Sequence, residues 1–174
     1  MLHLPRLDGV IEGRVVLEGS KDVGEADVGI WYQDGSNFRI AARVDAGGRF
    51  RVDRLDPAKR YALQVLVLSG GLAWVGAVSD VEPGNPVQLV PRIPLSLTGR
   101  VDGHDDGEAV VAVMATKDGI SQFADFNAAD GTFSFDRLVE GEYVVTLLGR
   151  GLVHLNSVGG VRAGSRDTVI TRKR

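Results

Sequence analysis

Three histidines are the residues from which a catalytic or metal site would most readily be built, and they are scattered along the chain: His3, His104 and His154. No two of them have the spacing of a metal-binding pair, and the sequence contains no His-Glu-x-x-His motif. It contains no Gly-x-Ser-x-Gly nucleophile elbow and no cysteine, which excludes thiol chemistry, disulfides and cysteine zinc sites. We therefore predict no catalytic residues, no cofactor and no enzyme activity, with His154 as the sole candidate base.

The densest acidic segment, residues 102–108, contains four carboxylates: Asp102, Asp105, Asp106 and Glu108. Calcium binds about six to eight oxygen atoms, so this segment is a weak candidate calcium site. It lacks the glycine and the closing glutamate of an EF-hand loop at the required spacing. The ordinary interpretation is a solvated turn between two strands, and we predict no metal site.

Three aromatic residues are candidate ligand contacts: Trp31, Tyr32 and Trp74. If Val28, Ile30 and Tyr32 point into a core, alternation along the strand turns Trp31 to the opposite face. An exposed tryptophan there would favour carbohydrate binding by stacking on a sugar ring. The alternative is that Trp31 packs beneath a loop or against another module.

The charge distribution argues against nucleic acid and membrane partners. The net charge is −3 and the isoelectric point about 5.6, with both signs interspersed and no basic stripe. No apolar run approaches the roughly 18 residues of a membrane-spanning helix. The first residues lack the features of a signal peptide, so we expect either a cytoplasmic protein or a piece of a longer one.

Three landmarks recur in the same order, at offsets of about 82 to 86 residues. Gly13-Arg14-Val15 returns as Gly99-Arg100-Val101, and Tyr61 is matched by Tyr143. Between them, segments 45–55 and 128–138 share the pattern Gly-x-Phe-x-(apolar)-Asp-Arg-Leu. This order predicts two tandem modules, residues 1–92 and 93–174, with a boundary at the prolines of Pro91-Arg92-Ile93-Pro94.

Within each module the apolar residues alternate with a period of two, which is typical of strands with one buried face. Two sets are predicted to face the core: Tyr61, Leu63, Val65 and Val67, and Tyr143, Val145 and Leu147. Segments of strand length recur roughly every 8–12 residues between glycine-rich turns, and no capped helical pattern occurs. Leu55-Asp56-Pro57-Ala58-Lys59-Arg60-Tyr61 has the pattern of a tyrosine corner, in which the hydroxyl bonds backbone a few residues upstream.

These motifs resemble the carboxypeptidase regulatory-like family of transthyretin-type (CnaB-like) sandwiches. The first module carries Gly13-Arg14-Val15, the segment from Asp45 to Leu55, and Tyr61. The second carries Gly99-Arg100-Val101, the segment from Gly131 to Leu138, and Gly141-Glu142-Tyr143. It departs at the leading aspartate, where Ala128 stands, although Asp130 keeps the turn polar.

The resemblance implies two tandem Ig-like antiparallel β-sandwiches of about seven strands each. It implies a non-enzymatic structural or protein-interaction segment, such as an accessory, stalk or assembly unit of an extracellular or cell-envelope protein. A protein partner or self-assembly is expected. The alternative is a carbohydrate-binding module that uses exposed aromatic residues of the first domain. The family motifs are turns and core positions, so they specify the fold better than the function.

Overall fold

The computed structural model describes residues 7–19, 23, 25–33, 38–103 and 109–172. In this part of the chain every regular element is a β-strand except one 3₁₀ turn at Arg150–Leu152, and no helix is long enough to span a membrane. The chain divides into two compact units: residues 1–93 with 118–120, and residues 94–117 with 121–174.

The first unit is a sandwich of two sheets. Its strands are β1 (Gly9–Val15), β2 (Glu25–Tyr32), β3 (Arg39–Arg43), β4 (Arg49–Leu55), β5 (Tyr61–Ser69), β6 (Leu72–Val81) and β7 (Val87–Leu89). One sheet has the order β4-β1-β7 and the other β3-β2-β5-β6. All neighbours are antiparallel except β7, which runs parallel to β1.

The second unit also consists of two sheets. Its strands are β8 (Leu95–Asp102), β9 (Ala112–Lys117), β10 (Ile120–Phe123, of which residues 121–123 belong to this unit), β11 (Asp125–Asn127), β12 (Thr132–Leu138), β13 (Glu142–Leu148), β14 (His154–Arg162) and β15 (Thr168–Thr171). The sheet orders are β11-β12-β8-β15 and β10-β9-β13-β14, and β15 runs parallel to β8. The predicted all-β class, with two antiparallel sandwiches of about seven strands each, is confirmed; the parallel closing strands were not predicted.

The predicted inward faces are confirmed, because all seven residues of the two alternating sets are buried within the cores. In the first unit, Ile11 and Val52 from one sheet meet Val28 and Leu63 from the other, and all four are fully buried. Burying a side chain of this size contributes about 1.5–3 kcal/mol, so these contacts hold each pair of sheets together.

The glycine of the Gly-Arg-Val motif and the phenylalanine of the Gly-x-Phe motif are cross-strand partners in both units. Gly13 lies opposite Phe50, and Gly99 lies opposite Phe133. A Cβ atom added to Gly13 would lie 2.3 Å from Cζ of Phe50, and one added to Gly99 would lie 2.5 Å from Cζ of Phe133. The ring therefore fills the space above the glycine, and the two motifs are halves of one packing contact.

The Asp-Arg-Leu motif forms a β-bulge at the end of β4 and of β12. The register shifts between Val52 and Leu55 against β1, and between Phe135 and Leu138 against β8. The two residues between are exposed in each strand, yet both leucines are buried. The extra residue of the bulge thus returns the leucine to the core face, which strict alternation would not do.

Both tyrosine corners are present. The Tyr61 hydroxyl accepts a hydrogen bond from the Asp56 N–H at 2.8 Å and lies 3.2 Å from the Asp56 carbonyl, to which it donates. The Tyr143 hydroxyl donates to the Val139 carbonyl at 2.9 Å. Burial raises the pKa of Tyr61, and the backbone hydrogen bond to Asp56 offsets part of that rise.

The units differ at the edge strand beside the bulge. In the second unit, β11 pairs with β12 along three residues. In the described residues of the first unit β4 has no such neighbour, and side chains and a turn cover its edge. Asp45 bonds both backbone groups of Arg49, and Arg39 donates to the Asp53 carbonyl at 3.0 Å. Such coverage protects an edge from pairing with another chain.

Candidate functional site

Trp31 is buried, so of the two interpretations given above for this residue the structure has packing and not exposure. Its side chain lies on the sheet face opposite the core, as alternation requires, but it is only 6% exposed. The ring of Phe38 packs against it with centroids 4.5 Å apart, and its cross-strand partner Ala62 is fully buried. Alternation gives the direction of a side chain, whereas neighbouring side chains decide whether water reaches it.

The other two aromatic candidates lie on the core side of the same sheet. Tyr32 is half-buried, with its ring 5.4 Å from that of Tyr61, and Trp74 is half-buried against the first core. The structure therefore does not bring Trp31, Tyr32 and Trp74 onto one face for stacking on a sugar. Carbohydrate binding through these residues stays a prediction, without the exposed tryptophan on which it was based.

Phe38 is the exposed aromatic residue of this region that the sequence reasoning missed. Its side chain is 56% exposed, and the neighbouring Ile40 is 67% exposed. The Phe38 ring lies over Gly29, where an added Cβ would approach it to 2.8 Å. The alternation of Phe38 and Ile40 indicated a common face, but nothing in the sequence indicated that this face is open.

Of the four candidate calcium ligands, Asp105, Asp106 and Glu108 lie outside the described residues. Asp102 is described, and its carboxylate forms an ion pair with Arg100 at 2.9 Å. Among the described residues no group of three or more His, Asp or Glu side chains is arranged to hold a metal ion. Asp102 is thus already neutralised by an arginine of its own strand.

His154, the candidate base, takes part in a chain of hydrogen bonds on the second unit. Its Nε2 lies 2.8 Å from Oγ of Ser157, which lies 2.9 Å from Oγ1 of Thr146. A catalytic triad also requires a group that orients the histidine. Within the described ranges His154 has no carboxylate partner, and the pair is exposed on strand β14. The arrangement therefore stabilises the sheet surface without the third group that would activate the serine.

The first unit has an open cavity of about 660 Å³ on the outer side of sheet β4-β1-β7. Four arginines line it, and we call this surface the arginine face: Arg14, Arg43, Arg49 and Arg51. Two carboxylates, Glu12 and Asp45, also line it. Its positive side chains outnumber its negative ones by four to two.

Arg51 is neutralised within the arginine face. It forms ion pairs with Glu12 across the strands and with Asp53 at 2.8 Å along its own strand. The hydrogen bond with Glu12, followed by the charge of Asp53, raises the pKa of Arg51 above its ordinary value. Arg43 lies 3.8 Å from Asp27, although its own side chain is 92% exposed.

The second unit has a cavity of about 910 Å³ on its sheet β11-β12-β8-β15. Small polar residues and two aspartates supply much of its lining: Thr98, Asn127, Thr132, Ser134, Asp125 and Asp167. Arg100 is the arginine that lines it, and it is paired with Asp102. The two cavities therefore lie on sheets built around the same Gly–Phe contact but differ in charge.

No protein-family model matches the chain. No curated protein matches it either.

Among solved structures, the chain is similar to the Bacillus anthracis TIE protein, with 12% identity and a TM-score of 0.32 over 95% of this chain and 34% of that one. It is similar to a streptococcal ancillary pilin, with 14% identity and a TM-score of 0.35 over 96% of this chain and 63% of that one. The shaft pilin SpaA of Lactobacillus rhamnosus GG gives 8% identity and a TM-score of 0.32 over 95% and 97% of the two chains.

The chain thus spans about a third of the first of these proteins and less than two thirds of the second. At such identities and TM-scores these likenesses carry no argument about what the chain does. The fold assignment rests on the sheets, registers and cores described above.

Proposed function

We propose that this chain is a non-enzymatic structural or protein-interaction segment of an extracellular or cell-envelope protein. It would consist of two carboxypeptidase regulatory-like modules, residues 1–92 and 93–174, that act as an accessory, stalk or assembly unit. The repeated Gly–Phe contact, the bulge and the tyrosine corner support the two-module part of this proposal.

The observation that carries the proposal is the pair of broad, open cavities on the outer sheet faces, of about 660 and 910 Å³, each with charged side chains in its lining. Small-molecule sites are usually enclosed clefts that bury most of the ligand's surface. An open face lined by charged side chains on a rigid sheet instead suits a macromolecular partner. Hydrogen-bonded strands with a β-bulge support such a face in both units.

Several polar side chains in the described structure form hydrogen bonds that stabilise turns, which supports a non-enzymatic role. The Asp45 carboxylate accepts hydrogen bonds from the N–H groups of Gly47 and Arg49, at 2.9 and 2.8 Å. The Asp130 carboxylate accepts from the Thr132 N–H at 2.9 Å. These bonds fix the turns that precede β4 and β12.

Fractionation of the source organism tests the proposal. An antibody raised against the chain would be used on blots of the cytoplasm, the envelope and the medium. We expect the band in the envelope or medium, at an apparent mass above the 18.6 kDa of this chain. A band near 18.6 kDa confined to the cytoplasm would refute the extracellular assignment.

The non-enzymatic part is tested separately with a panel of ester and amide substrates, comparing the wild type with His154→Ala and Ser157→Ala. We expect no turnover above that of buffer in any of the three proteins. Turnover by the wild type that either substitution abolishes would contradict the proposal.

A further inference from the structure

Two arginines of the arginine face lie directly opposite each other on neighbouring strands. Arg14 of β1 and Arg49 of β4 are cross-strand partners, and both side chains are exposed. Like charges at directly opposed positions of a sheet repel and destabilise the pairing. The pair therefore has a cost in folding that some other interaction must offset.

That repulsion is not relieved by neighbouring groups within the described part of the chain. There, neither the Arg14 nor the Arg49 guanidinium has an ion pair or a hydrogen bond. Glu12 is bonded to Arg51. Asp45, the other carboxylate of the lining, accepts hydrogen bonds at its Oδ1 from two backbone N–H groups. Each carboxylate that lines the cavity is thus bonded to a group other than the Arg14 and Arg49 guanidinium groups.

The fold does not require two arginines at this position. In the second unit the equivalent partners are Arg100 and Thr132, which also lie opposite each other beside a Gly–Phe contact. Arg100 is neutralised by Asp102 at 2.9 Å. The same backbone arrangement is therefore built there with one arginine and a hydroxyl, which points to a role in binding for the unpaired arginines of the first unit.

The chemistry of the face indicates carboxylates as the group it binds. A guanidinium presents a planar fork of N–H donors that matches an oxyanion with two parallel hydrogen bonds. Binding single-stranded nucleic acid or sugars would call for an aromatic platform. The one aromatic residue of the lining is Phe50, whose ring is buried in the core over Gly13.

We propose that the arginine face binds an acidic segment of a partner polypeptide, with Arg14 and Arg49 as the principal contacts. Arg43 lines the same cavity, with its guanidinium 3.8 Å from Asp27. Acidic motifs are recognised by arginine clusters of this kind. This inference rests on the proposed function and gives the partner's chemistry: carboxylate side chains on an exposed stretch of chain.

The test is a titration of the full chain into fluorescein-labelled octaglutamate, followed by fluorescence anisotropy at about 50 mM salt, where charge screening is weak. We expect saturable binding that weakens on addition of salt. Arg14→Gln with Arg49→Gln should weaken it at least about tenfold, because two charge-assisted contacts are lost. The matched control is Arg137→Gln with Arg150→Gln, which removes the same charge from exposed positions of the second unit and should leave binding within about twofold of the wild type.

The inference would be overturned by no binding by the wild type, by binding that the Arg14/Arg49 variant retains, or by an equal loss in the matched control. Oligothymidylate and dextran sulfate serve as competitors of other classes. If either binds more tightly than octaglutamate with the same dependence on Arg14 and Arg49, the assignment to a polypeptide is wrong. Thermal melting of each variant shows that it is folded.

Failure of this titration and failure of the proposed function are distinguishable. If the protein is found in the envelope but does not bind octaglutamate, the proposed function stands and the arginine face is not the binding surface. If the protein is found only in the cytoplasm but binds octaglutamate through Arg14 and Arg49, the binding surface stands and the extracellular assignment is wrong.

Discussion

The two units share their interior contacts and differ on their outer faces. Phe50 covers Gly13 in the first and Phe133 covers Gly99 in the second, with a bulge and a tyrosine corner following in each. At the neighbouring cross-strand pair the first unit has two arginines without an ion pair among the described residues, whereas the second has one paired arginine and a threonine. Interior residues are constrained by packing, and the outer face is where the two units can acquire different partners.

The largest effect should come from removing the phenylalanines that the units share. Phe50→Ala and Phe133→Ala should each lower the free energy of unfolding by about 3–5 kcal/mol, since each leaves a cavity above a glycine. Urea denaturation of the full chain measures both. A loss below about 1 kcal/mol in one unit would mean that its ring contributes little to the core, and the parallel between the interiors would fail.

Adding a methyl group to the glycine beneath each phenylalanine ring should lower the free energy of unfolding by less. Gly13→Ala and Gly99→Ala place a Cβ against the ring and against a backbone carbonyl, at 2.7 Å from Val87 O and 2.2 Å from Thr168 O. Overpacking of this kind costs about 1–3 kcal/mol. The control is Gly159→Ala, where an added Cβ meets no atom within 4 Å. Equal stability of all three variants in urea would contradict the packing described.

The tyrosine corner of the first unit should contribute about 0.5–1.5 kcal/mol, the usual value of a hydrogen bond. Tyr61→Phe leaves the Asp56 N–H without its acceptor and should lower stability by that amount at neutral pH.

The effect of Tyr61→Phe on the free energy of unfolding should also depend on pH. The pKa of Tyr61 is raised by burial, so folding favours the neutral phenol. Its contribution is fully present below the unfolded value of about 10 and is lost as pH rises through the higher folded value. The stability difference between wild type and Tyr61→Phe should therefore shrink above about pH 10. A difference that is constant up to pH 11 would contradict the raised pKa.

Substitutions on the arginine face should change the free energy of unfolding least. The sign of the change distinguishes a repelling arginine from a paired one. Arg49→Thr copies the second unit and should raise the free energy of unfolding by a few tenths of a kcal/mol, because it removes a like-charge pair. Arg51→Thr is the matched change on the same strand and should lower stability, because it breaks the pairs with Glu12 and Asp53. A stabilising Arg51→Thr or a destabilising Arg49→Thr, measured by thermal melting at low salt, would contradict the charge assignment.

The sequence predicted what alternation and repetition control. Tyr61, Leu63 and the other inward residues followed from a period of two, and the corner followed from the spacing of Leu55, Pro57 and Tyr61. The parallel strands β7 and β15 were not predicted, because a three- or four-residue strand that pairs with a distant segment leaves little local signal.

The sites were predicted less well, since exposure depends on contacts between distant segments. Trp31 was assigned to the correct face, but the covering by Phe38 and the burial of Ala62 were not visible in the sequence. The sequence did contain a signal for the Arg14–Arg49 pair. Arg14 directly follows Gly13 and Arg49 directly precedes Phe50, and these are the two residues of the repeated contact. Using that signal required knowing that Gly13 and Phe50 lie opposite each other.

The most direct test of the claim that the outer faces, and not the interiors, determine binding is a transfer of the arginine pair. Thr132→Arg with Asp102→Asn, Asp125→Asn and Asp167→Asn places a second arginine opposite Arg100 and removes the carboxylate that pairs with Arg100 and the two that line the cavity. Calorimetric titration with octaglutamate gives the number of sites. We predict one site per chain in the wild type and two in this variant. A wild type without a site, or a variant that gains none, would contradict the account.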